Sequence, residues 1–260
     1  MDTIFTLEAS GLTDTGCVRA HNEDALLSRP DLPLFVVADG VGGAAAGEVA
    51  SELFTTSCAD EFDRYNGWNQ DLGPLISRCF INANQNIRDH AKQFPDTRGM
   101  GCTAEVLTFY KQEYIVGHIG DSRSYLLREN QLSRLTKDHS YVQEQIDLGL
   151  LSHEEAETHW LKNAIYRAVG QADDIEADIL RGKAKPQDCY LLCSDGLTDM
   201  VSEQRIEEIL NLKESLDQRC QRLIDEARLN GGRDNITALL CELGGGGKNL
   251  MDSFKSLIGK

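Results

Sequence analysis

The first forty residues have the apolar pattern of β-strands. Between residues 34 and 43, the sequence LFVVADGVGG places five apolar residues in a row before an acid and several glycines. An unbroken apolar run of this length is typical of a strand that is buried on both faces. Short strands are also predicted at 3–9 and 24–28, on either side of the loop TDTGCVRAHNED.

Four stretches of the chain are predicted to be helical. Apolar residues recur at helical spacing over 47–64 and 74–94, which predicts two amphipathic helices. Pro74 suits the first turn of its helix, because its missing N–H would have no helical partner there. Two further helices are predicted at 202–211 and 215–230.

The remaining strands are predicted to form hairpins. From residue 102 the chain reads CTAEVLTFY, EYIVGHIGDS, SYLLR and QLSRLT, with turns at 111–112 and 129–130. Strand character returns at 189–196 and 236–243. Strands joined by such short turns pair antiparallel. The pattern therefore predicts an α+β protein in which antiparallel sheets pack on one another and are covered by helices.

One polar, helical stretch interrupts the β-rich regions. It spans 138–170, which we call the flap segment, and its Ser152 and Glu155 have the spacing of a capping box. Its position between two sets of strands is that of a mobile flap on the main domain. We expect one domain over 1–243. Residues 244–260 are expected to be a Gly-rich linker followed by a short tail, either an amphipathic helix or a frayed end.

The composition excludes several classes of function. The chain has 260 residues, enough for a large core, and a formal net charge of −16, which argues against nucleic acid or an anionic membrane as the main partner. No apolar run approaches the ~18 residues of a membrane span, and the first ten residues lack the pattern of a signal peptide. We therefore expect a cytoplasmic protein. The eight cysteines lie in apolar segments and are interpreted as small buried hydrophobes.

Acidic side chains stand at the ends of several predicted strands. Carboxylates that converge repel one another, so they stay ionised only beside a multivalent cation. Oxygen ligands without a Cys or His cluster favour Mg²⁺ or Mn²⁺, or Ca²⁺ at a roomier site. A pair of such ions can activate water for in-line attack on phosphorus, with an arginine to bind the phosphate, and Arg19 is the candidate. The acids are Glu23, Asp24, Asp39, Asp121, Asp195 and Asp234.

Seven short motifs also occur in a characteristic order along the chain. They are RAHNED at 19–24, VVADGVGG at 36–43, GCTA at 101–104, GDSRSYL at 120–126, LTKDHS at 135–140, LLCSDGLTD at 191–199 and GRDNIT at 232–237. This order is that of metal-dependent serine/threonine phosphatases of type 2C, and the chain resembles a bacterial member of that family. The resemblance covers residues 3 to about 243.

The resemblance implies both a fold and a pair of metal ions. The fold is a four-layer αββα sandwich, with two antiparallel sheets between helices. By matching position, Asp39 would bridge two Mn²⁺ or Mg²⁺ ions. Glu23 and the carbonyl of Gly40 would complete one ion, and Asp195 and Asp234 would complete the other.

The resemblance also implies roles around the two ions. Asp121, with Asp195 and Asp199, would hold a third, weaker ion. Arg19 would clamp the substrate phosphate, and Asp24 would support the waters on the metals. The flap segment would be the family's flap.

One departure from the family affects the mechanism. Many eukaryotic members carry a histidine after the Asp-Gly pair as general acid, whereas this chain has Val41. The leaving group would then take its proton from metal-bound water or from another residue. His21 and His139 are candidate donors, although a structural role is the simpler interpretation of each. The flap sequence THWLKN, at 158–163, also differs from that of bacterial relatives, which often carry a proline and arginines there.

The sequence leads to one functional hypothesis and two rivals. The hypothesis is a monomeric phosphatase that hydrolyses phosphoserine and phosphothreonine in proteins and opposes a bacterial Ser/Thr kinase. The first rival is a non-catalytic regulatory module that uses the same fold to bind a partner. The second is a hydrolase of small phosphate esters or phosphodiesters. The set of metal acids favours an enzyme over the regulatory module.

Overall fold

Eleven strands form two antiparallel β-sheets in the computed structural model, which describes residues 5–42, 46–66 and 70–244. The strands are β1 Thr6–Asp14, β2 Asp24–Arg29, β3 Leu34–Val41, β4 Gly101–Cys102, β5 Ala104–Tyr110, β6 Glu113–Ile119, β7 Arg123–Arg128, β8 Gln131–Arg134, β9 Asp178–Lys183, β10 Cys189–Cys193 and β11 Ile236–Gly244. The first sheet has the order β1-β11-β10-β7-β8. The second has the order β2-β3-β5-β6-β9, and β4 pairs with the end of β3.

Helices cover the outer face of each sheet. The described residues form α1 Gly47–Arg64, α2 Gly73–Gln93, α3 Tyr141–Asp147, α4 His153–Glu157, α5 Asp195–Thr198, α6 Glu203–Leu210 and α7 Leu216–Leu229, with a 3₁₀ turn at Pro95–Thr97. The short helices α3 and α4 belong to the flap segment. The long helices α1 and α2 pack on the second sheet, and α5, α6 and α7 pack on the first. Within the described ranges, none of the helices combines the length and the apolar character that crossing a bilayer requires.

Strand β3 shows how the layers are built. Its side chains alternate between the two faces of the sheet. Leu34, Val36 and Ala38 pack against α1 and α2. Phe35 and Val37 pack instead between the two sheets, together with residues of β10 and β11. The layers are therefore helix, sheet, sheet and helix, which confirms the predicted αββα sandwich. By the same alternation Asp39 follows Val37 on the face between the sheets.

The structure corrects several predicted boundaries. β1 runs to Asp14 instead of ending at residue 9, because its second half continues to pair with β11. β9 was not predicted, since its sequence DILRGK has no apolar alternation, and it forms the edge of the second sheet beside β6. The flap segment contains only two short helices, α3 and α4, and the predicted capping box of α4 is present. Residues 3 and 4 of the first predicted strand, Gly43 and the tail at 245–260 lie outside the described residues.

Candidate metal centre

Two acids from neighbouring strands face each other at one end of the sandwich. Asp24 at the start of β2 pairs directly with Asp39 near the end of β3. Asp24 Oδ2 accepts hydrogen bonds from the hydroxyls of Ser194 (2.7 Å) and Thr237 (2.6 Å), which belong to the other sheet region. Burial raises the pKa of the Asp24 carboxyl to about 6, although the two hydroxyl bonds favour its charged form. Asp24 therefore joins the two sheets at the place where the acids meet.

Asp39 and Asp195 have strongly raised pKa values. The pKa of each is raised well above its ordinary value, first by burial and then by neighbouring carboxylates. The neighbours of Asp39 include Asp24 and Asp195, and those of Asp195 include Asp121 and Asp234. Asp195 is the first residue of α5, and its Oδ1 is buried with no hydrogen-bond partner among the described residues. A cation would relieve both the repulsion and the missing partner.

Glu23 and Gly40 meet at the start of α1. The Glu23 carbonyl accepts from Gly40 N (3.1 Å) and from the Ser51 hydroxyl (2.6 Å), so the loop before β2 is fixed to β3 and to α1. A methyl group added at Gly47 would overlap the Glu23 carboxylate and lie 2.9 Å from the Gly40 carbonyl oxygen. A Glu23 carboxylate oxygen and the Gly40 carbonyl oxygen therefore lie on either side of the same small space beside Gly47. The pKa of Glu23 is raised, first by burial and then by Glu48.

This crowding makes Gly40 sensitive to substitution. A β-carbon at Gly40 would overlap the Gly47 backbone and lie 2.6 Å from the Glu23 carbonyl oxygen. We expect Gly40→Ala to lower the free energy of unfolding by about 3 kcal/mol, the upper end of the usual cost of overpacking, because the overlapping atoms belong to the backbone. Chemical unfolding measures this change. The control is Gly149→Ala, whose β-carbon has free space and only a positive φ (+69°) to cost about 1 kcal/mol. Equal losses in the two variants would contradict the crowding argument.

Arg19 lies beside one of the acids. Its Nη2 donates to Asp234 Oδ2 at 2.6 Å, and its side chain is half exposed. The exposed guanidinium faces solvent at the acid cluster, so it can also reach a bound anion. The loop that carries Arg19 is fixed to the same region, because Cys17 N donates to the Gly232 carbonyl at 2.7 Å.

Asn235 is a buried positioning residue that the sequence did not reveal. Its buried side chain makes three hydrogen bonds that hold the Arg19 loop against the start of β11. Its backbone N–H donates to Asp234 Oδ1 at 2.8 Å. The only sequence signal was a polar residue between an acid and an apolar strand. Asn235 Nδ2 donates to the carbonyls of Thr15 (3.0 Å) and His21 (2.9 Å), and Asn235 Oδ1 accepts from Glu23 N (2.8 Å).

Asp121 and Asp199 lie on the side of the flap segment. Burial, followed by the charge of Asp138, raises the pKa of Asp121 to about 7. Asp199 follows α5 and is paired with Lys162 of the flap segment, Nζ to Oδ2 at 2.5 Å. The flap segment therefore touches the acid cluster through Lys162.

The alternative proton donors occupy different environments. Val41 ends β3 opposite Gly101. His21 is exposed in the Arg19 loop. His139 is buried, and its Nδ1 accepts from Gly120 N at 3.0 Å, while burial lowers its pKa to about 4. His139 is therefore a neutral, bonded side chain at ordinary pH.

The donor set fits hard divalent cations. All its ligand atoms are oxygens, and besides Asp195 Oδ1, Asp24 Oδ1 is buried without a hydrogen-bond partner among the described residues. Within these ranges, no three His, Cys, Asp or Glu side chains lie, as placed, in an arrangement that holds one ion. Several acids instead have partners from the chain itself, since Asp234 pairs with Arg19 and Asp199 pairs with Lys162.

Comparisons with known proteins give the same picture. The chain is 37% identical over 250 residues to the serine/threonine phosphatase Stp of Listeria welshimeri, covering 94% of this chain and 97% of that protein. It superposes on the crystal structure of the Mycobacterium tuberculosis serine/threonine phosphatase PstP with a TM-score of 0.86 and 37% identity, covering 93% and 100% of the two chains. A structure of the PstP catalytic domain in complex with two manganese ions gives a TM-score of 0.85 at 36% identity, with coverage of 93% and 100%.

The family follows from the matched range. The model of the protein phosphatase 2C family matches residues 18–241, which include Arg19 and all the acids of the cluster. The chain therefore belongs to the protein phosphatase 2C family.

Proposed function

We propose that this protein is a metal-dependent phosphatase that hydrolyses phosphoserine and phosphothreonine in proteins. The observation that carries the proposal is the cluster of carboxylates around Asp39. Asp24 is buried, Asp39 and Asp195 are partly buried, and the pKa of each is raised by burial and by neighbouring acids. Such a cluster is costly without a multivalent counter-ion. The relatives named serine/threonine phosphatases and the manganese-bound structure of PstP support the same function.

The chain's own oxygens divide into two groups around Asp39. The Glu23 carboxylate and the Gly40 carbonyl would hold one Mn²⁺ or Mg²⁺ ion with Asp39, because both flank the same point beside α1. Asp195 and Asp234 would hold the second ion with Asp39. Divalent ions bound in this way lower the pKa of a coordinated water and neutralise phosphate charge.

Three further acids, Asp24, Asp121 and Asp199, lie beside these two groups of ligands. Asp121, with Asp195 and Asp199, would take a third, weaker ion. Asp24 is bonded to Ser194 and Thr237, so it supports the centre by holding the two sheets in register there.

Arg19 would bind the phosphate of the substrate. Its side chain is half exposed and ends at Asp234, so the guanidinium can turn a second edge toward an anion. Water then attacks phosphorus from the side opposite the leaving serine or threonine oxygen, and the P–O bond to that oxygen breaks. The leaving oxygen takes a proton from solvent or from exposed His21, since His139 is buried and bonded.

Arg19→Ala should separate binding from chemistry. We expect the KM for a phosphothreonine peptide to rise about 10-fold or more, since a charge-assisted contact contributes roughly 1.5–3 kcal/mol. Initial rates over a range of peptide concentrations measure this change. Arg98→Ala, an exposed arginine in the loop after the 3₁₀ turn, is the matched control. An unchanged KM in Arg19→Ala would argue against the phosphate clamp.

We further propose the cellular setting and the domain limits. The substrates are phosphoproteins, and the enzyme opposes a Ser/Thr kinase, acts as a monomer in the cytoplasm and has no membrane partner. The catalytic domain covers residues 1–243 with the flap segment as a subdomain, and 244–260 form a linker and tail. The net charge of −16 favours substrates with basic residues near the phosphate.

A substrate comparison tests the reaction class. Phosphothreonine and phosphoserine peptides should release phosphate in the presence of Mn²⁺, whereas the diester bis-p-nitrophenyl phosphate should react far more slowly. Faster hydrolysis of the diester would favour a small-molecule phosphoesterase. Absence of any hydrolysis, with Mn²⁺ bound, would favour a non-catalytic partner-binding module.

A further inference from the structure

His139 holds both backbone groups of the residue before Asp121. The backbone N–H of His139 donates to the Gly120 carbonyl at 2.7 Å, and Gly120 N donates to Nδ1 of the His139 side chain at 3.0 Å. Gly120 has φ of +110°, and a β-carbon there would lie 2.5 Å from Thr103 Cβ. The turn that presents Asp121 is therefore fixed by one buried side chain on one side and by close packing on the other.

The same residue joins the two ends of the flap segment. The His139 carbonyl accepts from Tyr166 N at 2.9 Å, and the next residue, Ser140, forms an isolated antiparallel bridge with Ile165. The His139 Nε2 atom lies 2.7 Å from Arg167 Nη1, near the exit of the flap segment, and 3.3 Å from Asp178 Oδ2 on β9. Arg167 Nη1 also donates to Asp178 Oδ1 at 2.8 Å. Entry and exit of the flap segment are thus bonded to each other at His139 and the residue after it.

The ring itself is held in place from one face. The ring of His118 lies against it, with ring centroids 4.6 Å apart and the ring planes tilted by 34°. His118 in turn donates from Nε2 to the Lys137 carbonyl at 2.8 Å and is paired through Nδ1 with buried Glu105. A buried ring with this support cannot turn without breaking several bonds.

The bonded path continues from the turn to the centre of the acid cluster. Thr103 N donates to the Asp39 carbonyl at 2.8 Å, and the hydroxyls of Thr103 and Ser122 are hydrogen-bonded at 2.6 Å. Cys102 and Val169 exchange backbone hydrogen bonds of 3.0 and 2.8 Å, so the exit of the flap segment is also tied to the end of β3. Asp39, Asp121 and the flap exit therefore share one contiguous network.

We propose that His139 is a positioning residue that couples the flap segment to the Gly120–Asp121 turn. The inference rests on the proposed function, because Asp121 matters only if the acid cluster works as a metal centre. Movement of the flap exit would pull on His139 and so shift the Asp121 carboxylate relative to Asp39. In return, an ion held by Asp121 would stabilise the flap exit in its bonded position, since coupling of this kind acts in both directions.

Two variants of His139 separate its two connections. His139→Ala removes the side-chain bond to Gly120 N and the ring contacts with Arg167 and Asp178, while the backbone bond to the Gly120 carbonyl remains. His139→Asn keeps an acceptor near the position of Nδ1 and removes the contacts with Arg167 and Asp178. The matched control is His153→Asn, an exposed histidine of α4 in the same segment.

Amide hydrogen exchange of the protein in chelator provides a readout that does not depend on activity. In His139→Ala we expect at least about tenfold faster exchange both at Gly120 and at 164–167, because local opening reports the bonds that hold a segment. In His139→Asn we expect faster exchange at 164–167 with Gly120 protected as in the wild type. The control should match the wild type at both places.

Activity provides the second readout. The Mn²⁺ concentration for half-maximal activity should rise about 10-fold or more in His139→Ala, the range typical for losing a partner of a metal ligand. Wild-type exchange at 164–167 in both variants would overturn the coupling. So would a fall in kcat at unchanged Mn²⁺ dependence and unchanged exchange, which is the signature of a general acid. If His139→Ala loses its fold, the result for His139→Asn decides.

The experiment distinguishes failure of the proposed function from failure of the proposed coupling. An inactive wild-type protein that shows the expected exchange pattern would refute the proposed function and leave the connection between the flap segment and the turn in place. An active wild-type protein whose variants exchange like the control would refute the coupling and leave the proposed function intact.

Discussion

Asp39→Asn and Asp195→Asn are each expected to abolish Mn²⁺-dependent hydrolysis of p-nitrophenyl phosphate. Loss of a partner of a metal ligand already costs 10–100-fold, so loss of a ligand should leave less than about 1% of the wild-type activity. Both carboxylates lie partly buried in the acid cluster, and their pKa values are raised by burial and by neighbouring acids. The amide keeps the shape of the side chain and removes the charge that a cation needs.

The same substitutions should not destabilise the metal-free protein, which is measured in the presence of a chelator. Each replaces a partly buried carboxylate, which neighbouring acids repel, by a neutral group, so the Tm in the presence of chelator should equal or exceed that of the wild type. Added Mn²⁺ should raise the Tm of the wild type, have little effect on Asp39→Asn, and raise the Tm of Asp195→Asn by less than that of the wild type, because Asp195→Asn keeps the oxygens around the first ion. Asp96→Asn, in the exposed 3₁₀ turn, is the matched control for both measurements. Activity retained in either variant would refute the two-metal assignment.

The stability of the protein in chelator should fall as the pH rises from 5 to 8. The pKa of Asp24 is raised from 3.8 to about 6, and that of Asp121 from 3.8 to about 7. A raised carboxyl pKa means that the folded state binds a proton that the unfolded state has already lost. The resulting stabilisation is complete below about pH 4 and is lost as the pH rises through 6 and 7. A shift of about two pH units corresponds to roughly 3 kcal/mol as an upper bound for one buried group.

Other titrating groups do not reverse this direction. Exposed carboxyls whose pKa is lowered by an ion pair, such as Asp31 and Asp71, are fully ionised above pH 5 and contribute a constant amount. His118, with a raised pKa, also loses its stabilisation as the pH rises. His139, with a pKa of about 4, acts in the opposite direction between pH 4 and 6.5.

Differential scanning calorimetry with and without Mn²⁺ isolates the acid cluster. The two histidines titrate under both conditions, so the difference in Tm between Mn²⁺ and chelator should grow with pH. A fall of several degrees in the Tm in chelator is the expected size, since about 1 kcal/mol shifts the Tm by roughly 2–4 °C in a protein of this length. A Tm difference that is the same at pH 5 and pH 8 would contradict the cluster's electrostatics.

The sequence predicted the elements whose apolar pattern is strong. β3 begins at Leu34 and α1 spans Gly47–Arg64 as expected, because a buried strand and an amphipathic helix leave clear periodic signals. β9 was missed because an edge strand with the sequence DILRGK owes its structure to pairing with β6 and not to its own composition. The flap segment was predicted to be helical, but much of it is held by non-local bonds such as the one between Cys102 and Val169.

For the candidate site, the sequence again predicted some residues and not others. The acids at strand ends could be named from the sequence, since each interrupts an apolar run or precedes one. Their supports could not, because Asn235 bonds to a loop more than two hundred residues earlier, and Ser194 reaches Asp24 across the two sheets. The role of His139 was also hidden, since its partners are the backbone of Gly120 and a side chain of the unpredicted β9.

Calorimetric titration with Mn²⁺ tests the central claim most directly. Wild-type protein freed of metal by chelation and dialysis should bind at least two Mn²⁺ ions per chain, as the PstP catalytic domain does in its crystal structure. Asp39→Asn should lose both tight sites, because Asp39 is the carboxylate that the two ions would share. Wild-type stoichiometry and affinity in Asp39→Asn would contradict a binuclear centre built around Asp39.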